Sequence, residues 1–146
     1  MLDKKFFREL AQNVVNMYRN HIFDKGLDYK GKKFKKYSTE YTKAKRTGTL
    51  FRQDSNYKNK TSPVLTGDLL RDFKVIGNPN SDGFSFGTVS HGGKVIGLGK
   101  LGRDISTSKT PIPSNIAKFI VEEADDYIMQ NMKKDFKDKK SNVRWR

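Results

Sequence analysis

Phe73-Lys74-Val75-Ile76-Gly77-Asn78-Pro79-Asn80-Ser81-Asp82-Gly83-Phe84-Ser85-Phe86-Gly87-Thr88-Val89 is the stretch on which the fold turns. Phe73, Val75 and Ile76 fall in one apolar run, and Phe84, Phe86 and Val89 fall in a second. Between them Asn78–Gly83 is dense in residues that favour turns, because Gly, Asn and Asp tolerate left-handed backbone and Pro pre-sets its φ. The reading is an antiparallel hairpin over 73–90. Residues 91–104 are glycine-rich, and Lys94-Val95-Ile96 reads as a possible third strand.

Helices flank this hairpin. Residues 3–23 carry Phe6, Phe7, Leu10, Ala11, Val14, Val15, Tyr18 and Ile22 at spacings of three and four, which gives one apolar face. Asp3 suits the N-cap, and Lys25-Gly26 supplies the stop. Residues 114–132 repeat the pattern with Ile116, Phe119, Ile120, Ala124, Tyr127, Ile128 and Met132, capped by Ser114 or Asn115. Pro63–Asp72 predicts a tight entry and one or two helical turns, with Thr66 as cap and Leu69 and Leu70 inward. Elements that segregate rather than alternate argue for an α+β fold: two long helices packed on a small antiparallel sheet. The expected organisation is one domain over 1–132, including a long basic loop at 25–62, and a flexible basic C-terminal tail over 133–146.

Charge is divided unevenly along the chain. Of 30 Lys and Arg and 16 Asp and Glu, residues 25–60 hold 12 basic and 3 acidic, and residues 133–146 hold 7 basic and 2 acidic. The remainder is electrically balanced, so the formal +14 resides in two polar segments. A neutral body with two basic extensions implies a scaffold whose appendages meet something anionic. Hydrophobic residues make up 34% of the chain, a deficit that falls mainly in those segments. Within 25–62, Asp28–Gly31 reads as a turn, Ser38–Ala44 as a short helix capped by Ser38, and Thr47–Ser62 as a long loop. Tyr29, Phe34, Tyr37, Tyr41, Phe51 and Tyr57 interleave the cations, a composition used by binders of single-stranded nucleic acid. Spacings of three and four make Phe34, Tyr37 and Tyr41 the anchors of this segment. Lys32, Lys33, Lys35 and Lys36 are its outward charges. Lys43, Lys45, Arg46, Arg144, Trp145 and Arg146 complete the candidate contact set, Trp and Arg being typical interface anchors.

Chemistry is harder to place. The chain has no cysteine, which excludes disulfides and thiolate metal sites and fits a reducing compartment. No apolar run approaches the roughly 20 residues that cross a bilayer, so no membrane partner is expected. Gly97-Leu98-Gly99-Lys100-Leu101-Gly102 has the spacing of the dinucleotide fingerprint, but no helix pattern opens at its last glycine, and a turning connection is expected instead. His21 reads as an edge-of-core residue and His91 lies beside Gly92-Gly93; no ligand pair at metal spacing includes them. Asp68 and Asp72 could hold magnesium as a nuclease pair, yet helix capping and Arg71 explain them more simply. No catalytic residue, metal or cofactor is expected.

Three pieces in order resemble a known family. The first is the N-terminal amphipathic helix ending in Asp24-Lys25-Gly26-Leu27-Asp28. The second is Gly31-Lys32-Lys33-Phe34-Lys35-Lys36-Tyr37-Ser38-Thr39-Glu40-Tyr41-Thr42-Lys43-Ala44-Lys45, where Gly31, Phe34, Tyr37, Ser38, Tyr41 and Lys45 match a G-x-x-[FW]-x-x-[YL]-S-x-x-[TY]-x-x-x-K pattern. The third is Ser62–Phe73, where Leu65, Gly67 and Leu70 match L-x-x-[TS]-G-x-L with compressed spacing. Ser90-His91-Gly92-Gly93 and Arg103…Pro111-Ile112-Pro113 follow in family order. Together they resemble the Mu-like virion morphogenesis and tail-completion (neck) proteins of tailed bacteriophages. The resemblance implies a non-enzymatic structural subunit, assembled in the host cytoplasm into a homo-oligomeric ring at the head–tail junction of the virion. Other phage neck and tail proteins would be its partners, and DNA in the channel would make nonspecific contacts. The alternative is a small basic nucleic-acid-binding module.

Overall fold

The computed structural model describes residues 2–50, 52–61, 67–90 and 92–141. Its elements are α1 (Lys4–Arg19), α2 (Thr39–Thr47), α3 (Asp68–Asp72), β1 (Phe73–Asn80), β2 (Gly83–Thr88), α4 (Gly92–Lys100) and α5 (Ser114–Ser141). The fold is mixed helix and two-stranded antiparallel sheet, in keeping with an α+β class.

The first helix forms as its periodicity predicts. The Asp3 carboxylate accepts from the Phe6 N–H at 2.8 Å, satisfying one of the orphan donors of the first turn. Phe6, Leu10, Ala11, Val14, Val15 and Tyr18 are buried along one face. Over Asn20–Asp24 the helix widens into a π-turn, and the Lys25 N–H reaches the Asn20 carbonyl at 2.8 Å. This widening buries three successive residues, His21, Ile22 and Phe23, more than an α-helical face would take. Gly26, at φ 67°, then turns the chain away. His21 is buried, with Nε2 2.8 Å from the Asp28 carbonyl oxygen.

A two-stranded ribbon is marginal alone and needs a helix to cover one face. Here α1 covers it. Tyr18 stacks on Phe73 with centroids 4.5 Å apart, and Phe86 meets both edge-on at 5.8 and 5.9 Å. Phe73 pairs with Thr88 and Val75 with Phe86; the ladder is then irregular until Asn80 pairs with Gly83. The turn is shorter than the expected 78–83. Pro79 lies inside β1, where the ladder irregularity spares it a hydrogen bond it cannot donate. The Asn80 side chain accepts from the Asp82 and Gly83 N–H groups at 2.8 and 3.2 Å and closes the turn.

The third strand expected at Lys94–Ile96 is a helix, α4. Four glycines make this a poor intrinsic helix, so burial decides: Val95 and Leu98, three apart, pack on the core while Ile96 and Leu101 face out. The helix ends in a Schellman motif. Gly102, at φ 72°, donates to the Gly99 carbonyl at 3.0 Å, and the Arg103 N–H donates to Leu98 at 2.8 Å. A helix therefore closes at Gly102 instead of opening there, the reverse of what pyrophosphate binding requires.

The last helix starts at Ser114, and the Pro113 carbonyl accepts from Ile116 and Ala117 N–H groups at 3.0 Å each. It runs unbroken past residue 132 to Ser141, through most of the segment expected to be a flexible tail. Ile116 is fully buried, and Phe119, Ile120, Ala124 and Tyr127 pack against the core. The main partner of α5 is α1 rather than the sheet. Tyr127 lies 4.5 Å from Phe6, ring to ring, and its hydroxyl donates to Asp3 at 3.0 Å. Ile128 and Met132, expected on the inward stripe, are 37% and 61% exposed.

Candidate functional site: a cationic face held by an arginine clamp

Residues 25–61 form a folded surface element. The Asp28 carboxylate accepts from the Lys30 and Lys32 N–H groups at 2.9 Å each, and Gly31 takes φ 82° between them. The Phe34 N–H returns to the Gly26 carbonyl at 3.1 Å, and its ring enters the core. Ser38 Oγ accepts from the Tyr41 N–H at 3.2 Å and starts α2, as its cap position predicts. Gly48, at φ 75°, ends it. Further on, the Tyr57 ring is buried and its hydroxyl donates to Asp24 at 2.8 Å.

Arg103 ties two points of this element, residues 35 and 61, to the end of α4. Its guanidinium donates to the Lys35 carbonyl at 2.7 Å and to the Thr61 carbonyl at 3.2 Å. Its Cζ also stands over the Tyr37 ring, 3.8 Å from the centroid, and Tyr37 packs on Tyr41 at 4.6 Å. The Schellman turn that ends α4 places Arg103 directly after Gly102, so the helix end aims the clamp.

Lys45 belongs to this clamp, which corrects its assignment as an outward contact. It is 1% exposed. Its ammonium donates to the Lys60 carbonyl at 2.8 Å and stands 5.1 Å from the Tyr37 centroid. Its position four residues after Tyr41 continues the 34, 37, 41 spacing, a signal that points inward. Lys32, Lys33, Lys35, Lys36, Lys43 and Arg46 are exposed, as expected, and give the element a dense cationic face. Arg144, Trp145 and Arg146 lie outside the described residues, as do Phe51, Thr66 and His91.

Burial, and secondarily Arg103, lower the Lys45 pKa from 10.5 to about 8. Between those values the unfolded chain binds a proton that the folded chain has released, so stability rises with pH from about 8. Burial acts oppositely on Tyr18, pushing its hydroxyl up from 10.0 to about 12. There the folded state keeps a proton the unfolded state has lost, and stability falls. The expected profile in urea unfolding has a maximum near pH 10. Lys45→Met abolishes the rising limb and keeps the falling one; a parent profile flat between pH 8 and 10 contradicts this account.

The acidic pair separates into two structural roles. Asp68 meets Arg71 Nη2 at 2.6 Å on the surface. Asp72 is buried and accepts from the Val89 and Ser90 N–H groups, each at 2.9 Å. Among the described residues no group of three or more His, Asp or Glu could hold a metal ion. No helix among them is long and apolar enough to cross a membrane. A concavity of about 500 Å³ lies between the hairpin, α4 and residues 105–112. Tyr18, Phe73, Phe84, Phe86 and Val95 line it, and the Tyr18 hydroxyl is already committed to the Ile105 carbonyl. No family model matches this chain, and no curated protein and no solved structure matches it.

Proposed function

We propose that this chain is a structural component of a tailed-phage virion, a neck or tail-completion subunit that forms an oligomeric ring at the head–tail junction. The observation that carries the reading is the use made of the motif residues. Gly31 turns the chain, Phe34 enters the core, Ser38 caps α2, and Tyr37, Tyr41 and Lys45 build the clamp around Arg103. Each serves shape. What they shape is a fixed face of lysines, suited to an anionic neighbour by charge alone. One element of the expectation changes. The loop is pinned to its own body, so the charge is offered as a folded surface rather than as an extension from the body.

Mass spectrometry of purified virions, followed by electron microscopy of the neck, tests this. The chain is expected in stoichiometric multiples at the head–tail junction; virions that lack it overturn the reading.

The exposure of Lys32, Lys33, Lys35, Lys36, Lys43 and Arg46 favours a second reading, a nucleic-acid-binding module. It predicts that the isolated protein binds DNA and that log affinity falls with log salt by about 0.9 per phosphate contacted. Replacing Lys32, Lys33, Lys35 and Lys36 by Glu is expected to abolish that retention on filters. Retention by the parent that is undetectable or insensitive to salt counts against the module.

A further inference from the structure

Among the described residues nothing covers the outer face of α5. Val121, Ile128, Met129, Met132 and Phe136 are all exposed, Phe136 at 70%. At about 100° per residue they fall within one arc roughly 100° wide. The inward set, Ile116, Ile120, Ala124 and Tyr127, lies on the opposite side of the helix. Tyr127 meets Asp3, the residue that caps α1, so the rest of α5 runs on past the start of that helix. A helix with apolar stripes on two opposite sides is built to contact something on each.

The charges beside the outer stripe identify the occupant. Glu122, Asp125 and Asp126 form an acidic block on the N-terminal side of Ile128-Met129, while Glu123 lies on the side of α5 that meets α1. Lys133, Lys134 and Lys137 outweigh Asp135 on the C-terminal side. Among the described residues the ion pair to this block is a loose one, Lys118–Glu122 at 3.8 Å. Turning α5 end for end about a point between Ile128 and Met129 brings its acidic block onto its basic one. The same operation sets Val121 opposite Phe136 and Ile128 opposite Met129. A parallel copy would oppose acid to acid. The helix is thus complementary to its own inverted copy, the condition for a self-complementary two-fold contact.

We infer that a second copy of this chain docks on the outer face of α5, antiparallel, with a two-fold axis between Ile128 and Met129. The contact does not rest on the neck reading. A two-fold contact closes at two copies, whereas a ring needs two different faces, so this is a pairing of the free protein.

Sedimentation and cysteine cross-linking of the full chain test it. The parent is expected at about twice its 16.8 kDa monomer mass at micromolar concentration. Met129→Glu with Met132→Glu is expected to give a monomer with unchanged circular dichroism, because both side chains are more than half exposed. Lys133→Glu with Lys137→Glu is expected to weaken pairing at least about tenfold by opposing like charges. Adding Glu122→Lys and Asp126→Lys to that variant restores it. The chain has no cysteine of its own, so introduced ones report geometry. Ile128→Cys, beside the axis, is expected to link to itself on oxidation. Val121→Cys is not, since two copies of it would stand about 22 Å apart at 1.5 Å rise per residue. Val121→Cys mixed with Phe136→Cys is expected to link. A parent that stays monomeric at about 100 µM, or Val121→Cys that links to itself as readily as Ile128→Cys, overturns the inference.

Discussion

Arg103→Ala is expected to destabilise the fold by about 3 kcal/mol and to open residues 30–61 to protease, the larger effect being on the loop. Arg103 is 7% exposed and donates to the Lys35 and Thr61 carbonyls. A hydrogen bond from a charged donor contributes about 1.5–3 kcal/mol, and the ring contact with Tyr37 adds about 1 kcal/mol. Against this stands the loss of repulsion with Lys45, which Arg103 pushes toward deprotonation. The substitution therefore also shifts the Lys45 titration upward and moves the rising limb of the pH profile with it. Arg103→Lys is expected to rescue little, because a single ammonium lacks the planar fork that spans Lys35 and Thr61. Urea unfolding gives the first quantity, and trypsin cleavage at the lysines between Lys30 and Lys60 the second. A loss under 1 kcal/mol with the loop still protected would show that Phe34 and Tyr57 hold it without the clamp.

This clamp marks the boundary of what was legible in the sequence. The helix over 4–24 was, because Asp3, the three-and-four spacing and Gly26 agree at every level. So were α2, from Ser38, and the hairpin, from its clustered turn residues. These are local signals. Arg103 gives no such signal: its partners, Lys35 and Thr61, stand 68 and 42 residues away. Lys45 was misplaced because a lysine in a basic run is a solvated charge by default, and only a distant carbonyl and ring make its burial tolerable. The strand expected at 94–96 failed for a related reason. Its glycines weaken both strand and helix, and Val95 and Leu98 meeting the core choose the helix. The extent of α5 was less legible, because apolar periodicity fades after Met132 while the helix continues to Ser141. Continued helical spacing at Phe136 was the available clue.

Asp72→Ala is expected to cost about 3 kcal/mol, because the carboxylate gathers several hydrogen bonds at the end of the hairpin. Its carboxylate, 7% exposed, joins the end of α3 to the end of β2. Oδ2 accepts from the Val89 and Ser90 N–H groups at 2.9 Å, and Oδ1 accepts from Ser90 Oγ at 3.2 Å. Alanine leaves these two backbone donors without the carboxylate, where the sheet face that packs on α1 begins. Asparagine keeps one oxygen but turns an amide toward Ser90, so Asp72→Asn is expected to lose about 2 kcal/mol. The pair of variants separates two accounts of this acid. If Asp72 serves with Asp68 as a cation site, removing its charge relieves repulsion and both variants are as stable as the parent, or more so, until magnesium is added. If it is the clasp of the hairpin, both lose stability and magnesium changes nothing. Thermal unfolding with and without 5–10 mM magnesium, roughly the range a weak carboxylate site needs, distinguishes the two. The hydrogen-bond geometry predicts the second outcome, with hairpin amides from Val75 to Phe86 exchanging fastest in Asp72→Ala.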